Sequence, residues 1–143
     1  MLRKAGLVLL ALTLLAGCDN DDEYPGPAVD PQSVLRSPSP WPSAQAAAPD
    51  APPKILAIWL SSVDVVPGHD WYGRIATGTN VASVEIRTES FSFNATRTAF
   101  GEFEFRQHVL DIVPNYKRAY TLHVVARNTR GDMDVREIPI TLR

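Results

Sequence analysis

The nine residues AYTLHVVAR, 119–127, place Tyr120, Leu122, Val124 and Ala126 on one side of an extended chain. Side chains alternate across a strand with period two, so these four read as the inward face of a half-buried β-strand. The same period recurs on both sides of this stretch. VREIPITL, 135–142, brings Ile138, Ile140 and Leu142 into phase, and the intervening NTRGD, 128–132, has the residue types of a hairpin turn. Upstream, GEFEFRQHV, 101–109, sets Phe103, Phe105 and Val109 against Glu102, Glu104, Arg106 and His108. SFSFNA, 90–95, alternates on Phe91 and Phe93, and VASVEIRT, 81–88, sets Ala82, Val84 and Ile86 against Ser83, Glu85 and Arg87. DWYGRIATG, 70–78, and ILAIWLSS, 55–62, complete seven runs of 6 to 9 residues. No stretch after Pro53 carries the 3.6-residue period of a long amphipathic helix.

Seven short strands between residues 54 and 143 predict an all-β domain, a sandwich of two antiparallel sheets. Cys18 is the only cysteine, so no internal disulfide supports it. Aromatic packing must then supply much of the core, with Trp59, Trp71, Phe93, Phe103 and Phe105 as candidates. Pro139 lacks a ladder donor, which places the last strand at an edge or gives it a bulge. Gly73, inside the second run, marks a bulge or a close approach.

Composition changes sharply upstream. Nine of the 12 prolines fall between Pro25 and Pro53, among Ala and Ser. Residues 18–53 therefore read as a disordered, Pro-rich tether that cannot bury enough surface to offset its ordering entropy. Its 36 residues would span on the order of 110 Å as polyproline II, or roughly 35 Å as a coil. Trp41 in this segment either docks on a partner as Pro-rich motifs do, or rests on the membrane interface or on its own domain. Residues 1–17 have the layout of a secretory signal: Arg3 and Lys4, an apolar run to Leu15, then small Ala16 and Gly17. That run is too short for a transmembrane helix.

Leu15-Ala16-Gly17-Cys18 resembles the bacterial lipobox at every position. The resemblance implies cleavage before Cys18 and transfer of diacylglycerol to its thiol, commonly followed by acylation of the freed amine. It implies a protein anchored by lipid to a bacterial membrane and facing periplasm or exterior, because two or more buried chains hold stably. Asp19 resembles the retention signal of enterobacteria-like lipoproteins, which favours the inner membrane in a Gram-negative cell. Asp19, Asp21, Asp22 and Glu23 form an acidic cluster without an EF-hand continuation, a solvated segment rather than a metal site.

The domain itself, from about Pro52 to Arg143, resembles bacterial immunoglobulin-like or fibronectin-type-III-like domains. VPGHDWYG, VASVEIR and YTLHVVARNTRGD carry the likeness. It implies that Tyr120 is a tyrosine-corner residue whose hydroxyl bonds backbone at the turn containing Pro114 and Asn115. Trp71-Tyr72-Gly73 departs from the small or β-branched start usual for the second strand.

Motifs for hydrolases, zinc proteases and nucleotide binding are absent from the sequence. His69, His108 and His123 are spread over a loop and two strands, so no metal or other cofactor is expected. His69-Asp70 near Ser61 and Ser62 invites a catalytic triad, but adjacent His and Asp on one turn rarely reach that geometry. The expected role of that turn is backbone bonding after Pro67-Gly68. From Lys54 onward there are 11 basic and 10 acidic residues, mixed in sign, which argues against a nucleic-acid surface. The expectation is a non-enzymatic binding or accessory module with an envelope protein as partner. Its binding surface is taken to be His69, Asp70, Trp71 and Tyr72 together with an edge strand. The alternative is a carbohydrate- or peptidoglycan-binding module, which needs aromatic side chains exposed together.

Overall fold

The structure is a computed structural model that describes residues 24–111 and 117–143. Among the described residues nine strands form two sheets: β1 Ile55–Leu60, β2 Asp64–Val65, β3 Asp70–Thr77, β4 Ser83–Arg87, β5 Ser92–Asn94, β6 Thr96–Ala99, β7 Glu102–His108, β8 Ala119–Arg127 and β9 Met133–Leu142. A four-stranded sheet has the order β1-β3-β7-β6 and a five-stranded sheet the order β2-β9-β8-β4-β5. The chain is therefore an all-β sandwich. Its two sheets have the strand order of immunoglobulin-type sandwiches, with β2 and β5 as short additions to one sheet.

All seven runs become strands. The two further strands lack the alternating signal. β6 is TRTA, exposed along its whole length on a sheet edge. β2 is only two residues long and pairs in parallel with the end of β9. Among the described residues no helix is long and apolar enough to cross a membrane.

The core forms where the inward faces meet. Leu122, Val124, Ala126, Ile138, Val84, Ile86 and Phe103 are at most 1 % exposed. Trp71, Phe93 and Phe105 pack edge-on, with Trp71 and Phe105 centroids 5.1 Å apart and Phe93 and Phe105 centroids 5.2 Å apart. Trp59 differs from expectation. It pairs with Arg74 across β1 and β3 and faces outward, half-buried, outside the core. Gly73 faces inward opposite Phe105, whose ring occupies the space a side chain would take. That is the close approach the glycine announced.

Pro139 lies within an unbroken β8–β9 register, so no bulge is needed. The flanking amides of the same parity point to the outer side of β9. Glu137 N donates to Pro27 O (2.9 Å) and Thr141 N to Val63 O (2.9 Å). Pro139 falls between these two patches, where the missing N–H breaks no bond of the β8–β9 ladder.

Residues 24–53 correct the expectation of a disordered tether. They form a strap on the sandwich. A parallel bridge joins Ala28 to Glu137, and a second joins Gln45 to Gly78. Val34, in a single turn of 3-10 helix (Ser33–Leu35), is 2 % exposed and joins the core beside β1. Ala51 O accepts hydrogen bonds from Asn80 Nδ2 (2.6 Å) and Asn128 Nδ2 (3.1 Å). The strap has no core of its own, so composition alone reads it as loose. It is ordered by a surface built elsewhere in the chain, and proline reduces the backbone freedom lost on ordering.

That surface is visible in two valines. On β8 and β9, period two turns Val125 and Val135 outward, yet they pair with each other and are 0 % and 6 % exposed. Gly26 lies on Val135. The Tyr24 ring rests below Arg87 and Arg127, with guanidinium carbons 4.7 and 5.3 Å from its centroid. Glu85 accepts hydrogen bonds from both arginines, at 2.7 Å from Arg127 and 3.3 Å from Arg87.

Candidate functional site

β3 begins at Asp70, and alternation sets the side taken by each later residue. Trp71 turns inward and is 3 % exposed; Tyr72 turns outward and is 39 % exposed. Trp71 is thus a core residue, which corrects its place among the binding candidates. Its ring packs on Phe105, and its Nε1 donates to Ser62 O at 2.9 Å, so its one polar group is satisfied. Trp71 contributes to the site only by fixing the strand.

Asp70 is the centre of the exposed cluster. β3 pairs with β7 so that Asp70 faces His108 and Tyr72 faces Arg106. Arg106 donates to Asp70 Oδ2 through Nε (2.9 Å) and Nη2 (2.6 Å). His108 Nδ1 lies 2.8 Å from Asp70 Oδ1, and the Tyr72 hydroxyl donates to Oδ2 at 3.4 Å. The hydrogen bond from His108 and then those from Arg106 hold the Asp70 carboxyl below its usual range. The Arg106 guanidinium also lies 5.5 Å from the Tyr72 ring centroid. Sequence reading found Asp70 and Tyr72 but missed Arg106 and His108 as their partners. Both lie 36 or more residues away and meet only through the β3–β7 register.

His69 does not join them. It is exposed, and its Nδ1 lies 3.2 Å from Pro67 O in the turn. The Ser61 hydroxyl accepts from Tyr72 N, and the Ser62 hydroxyl donates to Asp64 O. The serines, His69 and Asp70 each have other partners and do not assemble as nucleophile, base and orienter.

The same face continues along the four-stranded sheet. A shallow groove of about 460 Å³ is lined by Trp59, Tyr72, Arg74, Thr98, Glu104 and Arg106, among others. Arg74 pairs with Glu104 at 3.3 Å and stacks on Trp41 of the strap, 4.4 Å from the ring centroid. Trp41 thus rests on its own domain. Three aromatic side chains and two Arg–carboxylate pairs share this face: Trp41, Trp59 and Tyr72 with Arg74–Glu104 and Arg106–Asp70. Held in fixed partners, the charges suit recognition of a polar surface.

Tyr120 is buried, with Arg118 stacked on its ring at 4.7 Å. The expected turn partner, Pro114 and Asn115, lies outside the described residues, as do Cys18 and Asp19. Among the described residues no three His, Cys, Asp or Glu side chains converge as metal ligands. Compared with models of known protein families and with curated proteins, the chain matches none.

Proposed function

We propose that this protein is a bacterial envelope lipoprotein, anchored through Cys18, whose immunoglobulin-like sandwich binds another envelope component without catalysing a reaction. The observation that carries the binding part is the exposed cluster of Asp70, Arg106, His108 and Tyr72 on an open sheet face. Its charged groups are paired with one another while Arg106 and His108 stay mostly exposed, and its aromatic ring is partly accessible. Such a face offers fixed charge and apolar area to a partner surface. The lipobox-like LAGC supplies the anchoring part.

The test is a photo-crosslinking amino acid placed at Tyr72 in the full-length protein in intact membranes, followed by identification of the adduct. A specific envelope-protein adduct, lost when Asp70→Ala and Arg106→Ala are combined, supports the reading. Adducts unchanged by that double substitution refute it.

One observation favours a saccharide ligand as the second reading: Trp41, Trp59 and Tyr72 gather on one sheet face. Aromatic faces accept the C–H side of a sugar ring, while Arg and Glu bond hydroxyls. Binding to glycan strands that falls with Tyr72→Ala and Trp41→Ala selects this reading over a protein partner.

A further inference from the structure

We propose that the bilayer holding the anchor lies against the five-stranded-sheet side of the sandwich, beside Tyr24, and that the four-stranded face points away from it. The inference rests on the proposed lipidation of Cys18. Covalent reach sets the geometry. The strap is fixed to the domain from its first described residue. Tyr24 stacks under Arg87 and Arg127, Gly26 lies on Val135, and Pro27 and Val29 bond either side of Glu137 at 2.9 and 2.8 Å. Only residues 18–23 remain between the acylated sulfur and this attachment. Six residues reach at most about 20 Å. The sandwich is held close to the lipid surface, not on a leash on the order of 110 Å long.

The attachment also has a side. Arg87, Arg127 and Val135 stand on the outer face of the five-stranded sheet, so the anchor leaves from that face. Two packed sheets are about 10 Å apart before side chains are added. A bilayer reaching the four-stranded face would therefore need a path around the sandwich edge as well as through its thickness. Beside Tyr24 a polar groove of about 600 Å³ is lined by Arg87, Glu89, Thr121, His123 and Glu137 with Pro139. Its charges are of both signs, with Glu89 bonded to Arg118 and His123 3.3 Å from Glu137. Mixed charge matches a zwitterionic headgroup layer, in which each lipid carries both signs.

The experiment uses the acylated full-length protein in vesicles of phosphatidylethanolamine and phosphatidylcholine with an energy acceptor on a fraction of the headgroups. Single labels go at Thr121→Cys on the five-stranded face and Thr98→Cys on the four-stranded face; both positions are exposed. Mass measurement first confirms the acyl groups. Several-fold stronger transfer from position 121 than from 98 is expected, and a flexible insert of about 20 Gly/Ser residues after Glu23 should abolish the difference. Equal transfer, or stronger transfer from 98, in the acylated protein without the insert overturns the orientation while leaving the anchor intact. A mature protein without acyl groups, still in the membrane fraction after Cys18→Ser, overturns the anchoring reading and the orientation with it.

Discussion

Gly26 lies so close to Val135 that a β-carbon on it would sit 2.5 Å from the valine carbonyl oxygen and 2.8 Å from its Cβ. The contact joins the Pro-rich strap to the outer face of β9. It turns a segment with no core of its own into part of the domain.

Replacing Gly26 by Leu should lift the strap, because backbone on β9 cannot yield as a side-chain tip can. Overpacking of this kind costs about 1–3 kcal/mol. Urea denaturation should show that loss, and limited proteolysis should cut within 24–53 faster than in the parent. A variant with unchanged cleavage would mean that the strap does not depend on this contact.

Gly73 and Phe105 provide the matching test inside the core. Gly73→Ala sets a methyl against the Phe105 ring and should destabilise by about 1–3 kcal/mol. Phe105→Leu alone should destabilise as well, since it shrinks a packed aromatic cluster. The double variant should be more stable than the sum of the two losses predicts, with a coupling of about 0.5–3 kcal/mol. Strict additivity in equilibrium unfolding would argue against the close approach.

Proline at the outward amides of β9, which share one parity, should be costly only where the amide has an acceptor. Thr141→Pro removes the donor to Val63 O and leaves a carbonyl short of a partner, a cost of about 1–3 kcal/mol. Pro139→Ala should change stability by no more than about 0.5 kcal/mol plus the entropy a proline removes from the unfolded chain, about 0.4–1 kcal/mol. Thermal unfolding distinguishes the two positions.

Acid should loosen the Tyr24 end of the strap. Burial alone pushes Glu85 up, but the hydrogen bond from Arg127 and the charges of Arg127 and Arg87 outweigh it and leave the carboxyl below its ordinary value of 4.5. Asp70 is likewise held below 3.8, first by His108 and then by Arg106. A carboxylate with a depressed folded pKa contributes stability that is present above its unfolded pKa and is lost as pH falls through the folded one. Stability measured by urea titration should therefore decline from about pH 4.5 downward. Glu85→Gln should flatten that decline and lower stability at neutral pH. A slope unchanged by both Glu85→Gln and Asp70→Asn would show that neither pair is linked to folding.

The exposed face should separate binding from folding. Tyr72→Ala and Arg106→Ala touch groups that are at least a third exposed, so the urea midpoint of each variant should stay close to that of the parent. Under the binding role proposed above, capture of an envelope component from solubilised membranes should nevertheless fall at least several-fold. Leu122→Ala, at a fully buried position, should instead cost about 2–5 kcal/mol.

Much of the sandwich was legible in the residues themselves. Period two marks an inward face wherever a strand is half-buried, so Leu122, Val124, Ile138 and Phe103 announced their places before any contact was known. Trp71 and Tyr72 were separable by parity alone. β6 gave no such sign, because an edge strand exposed throughout needs no apolar face. Val125 carries a further signal: between His123 and Arg127 it is an apolar residue in the outward phase of β8, and it is buried against Val135 because the strap covers that face.

The alternating strands, the all-β class and the core-facing side of each strand are written in the chain locally, because they depend on neighbours one or two residues apart. Three outcomes came only with folding: His108 and Arg106 meet Asp70, Trp59 faces outward, and residues 24–53 are a strap rather than a tether. Those outcomes depend on register between strands dozens of residues apart. Composition carries no record of a surface that exists only after the sheets have paired.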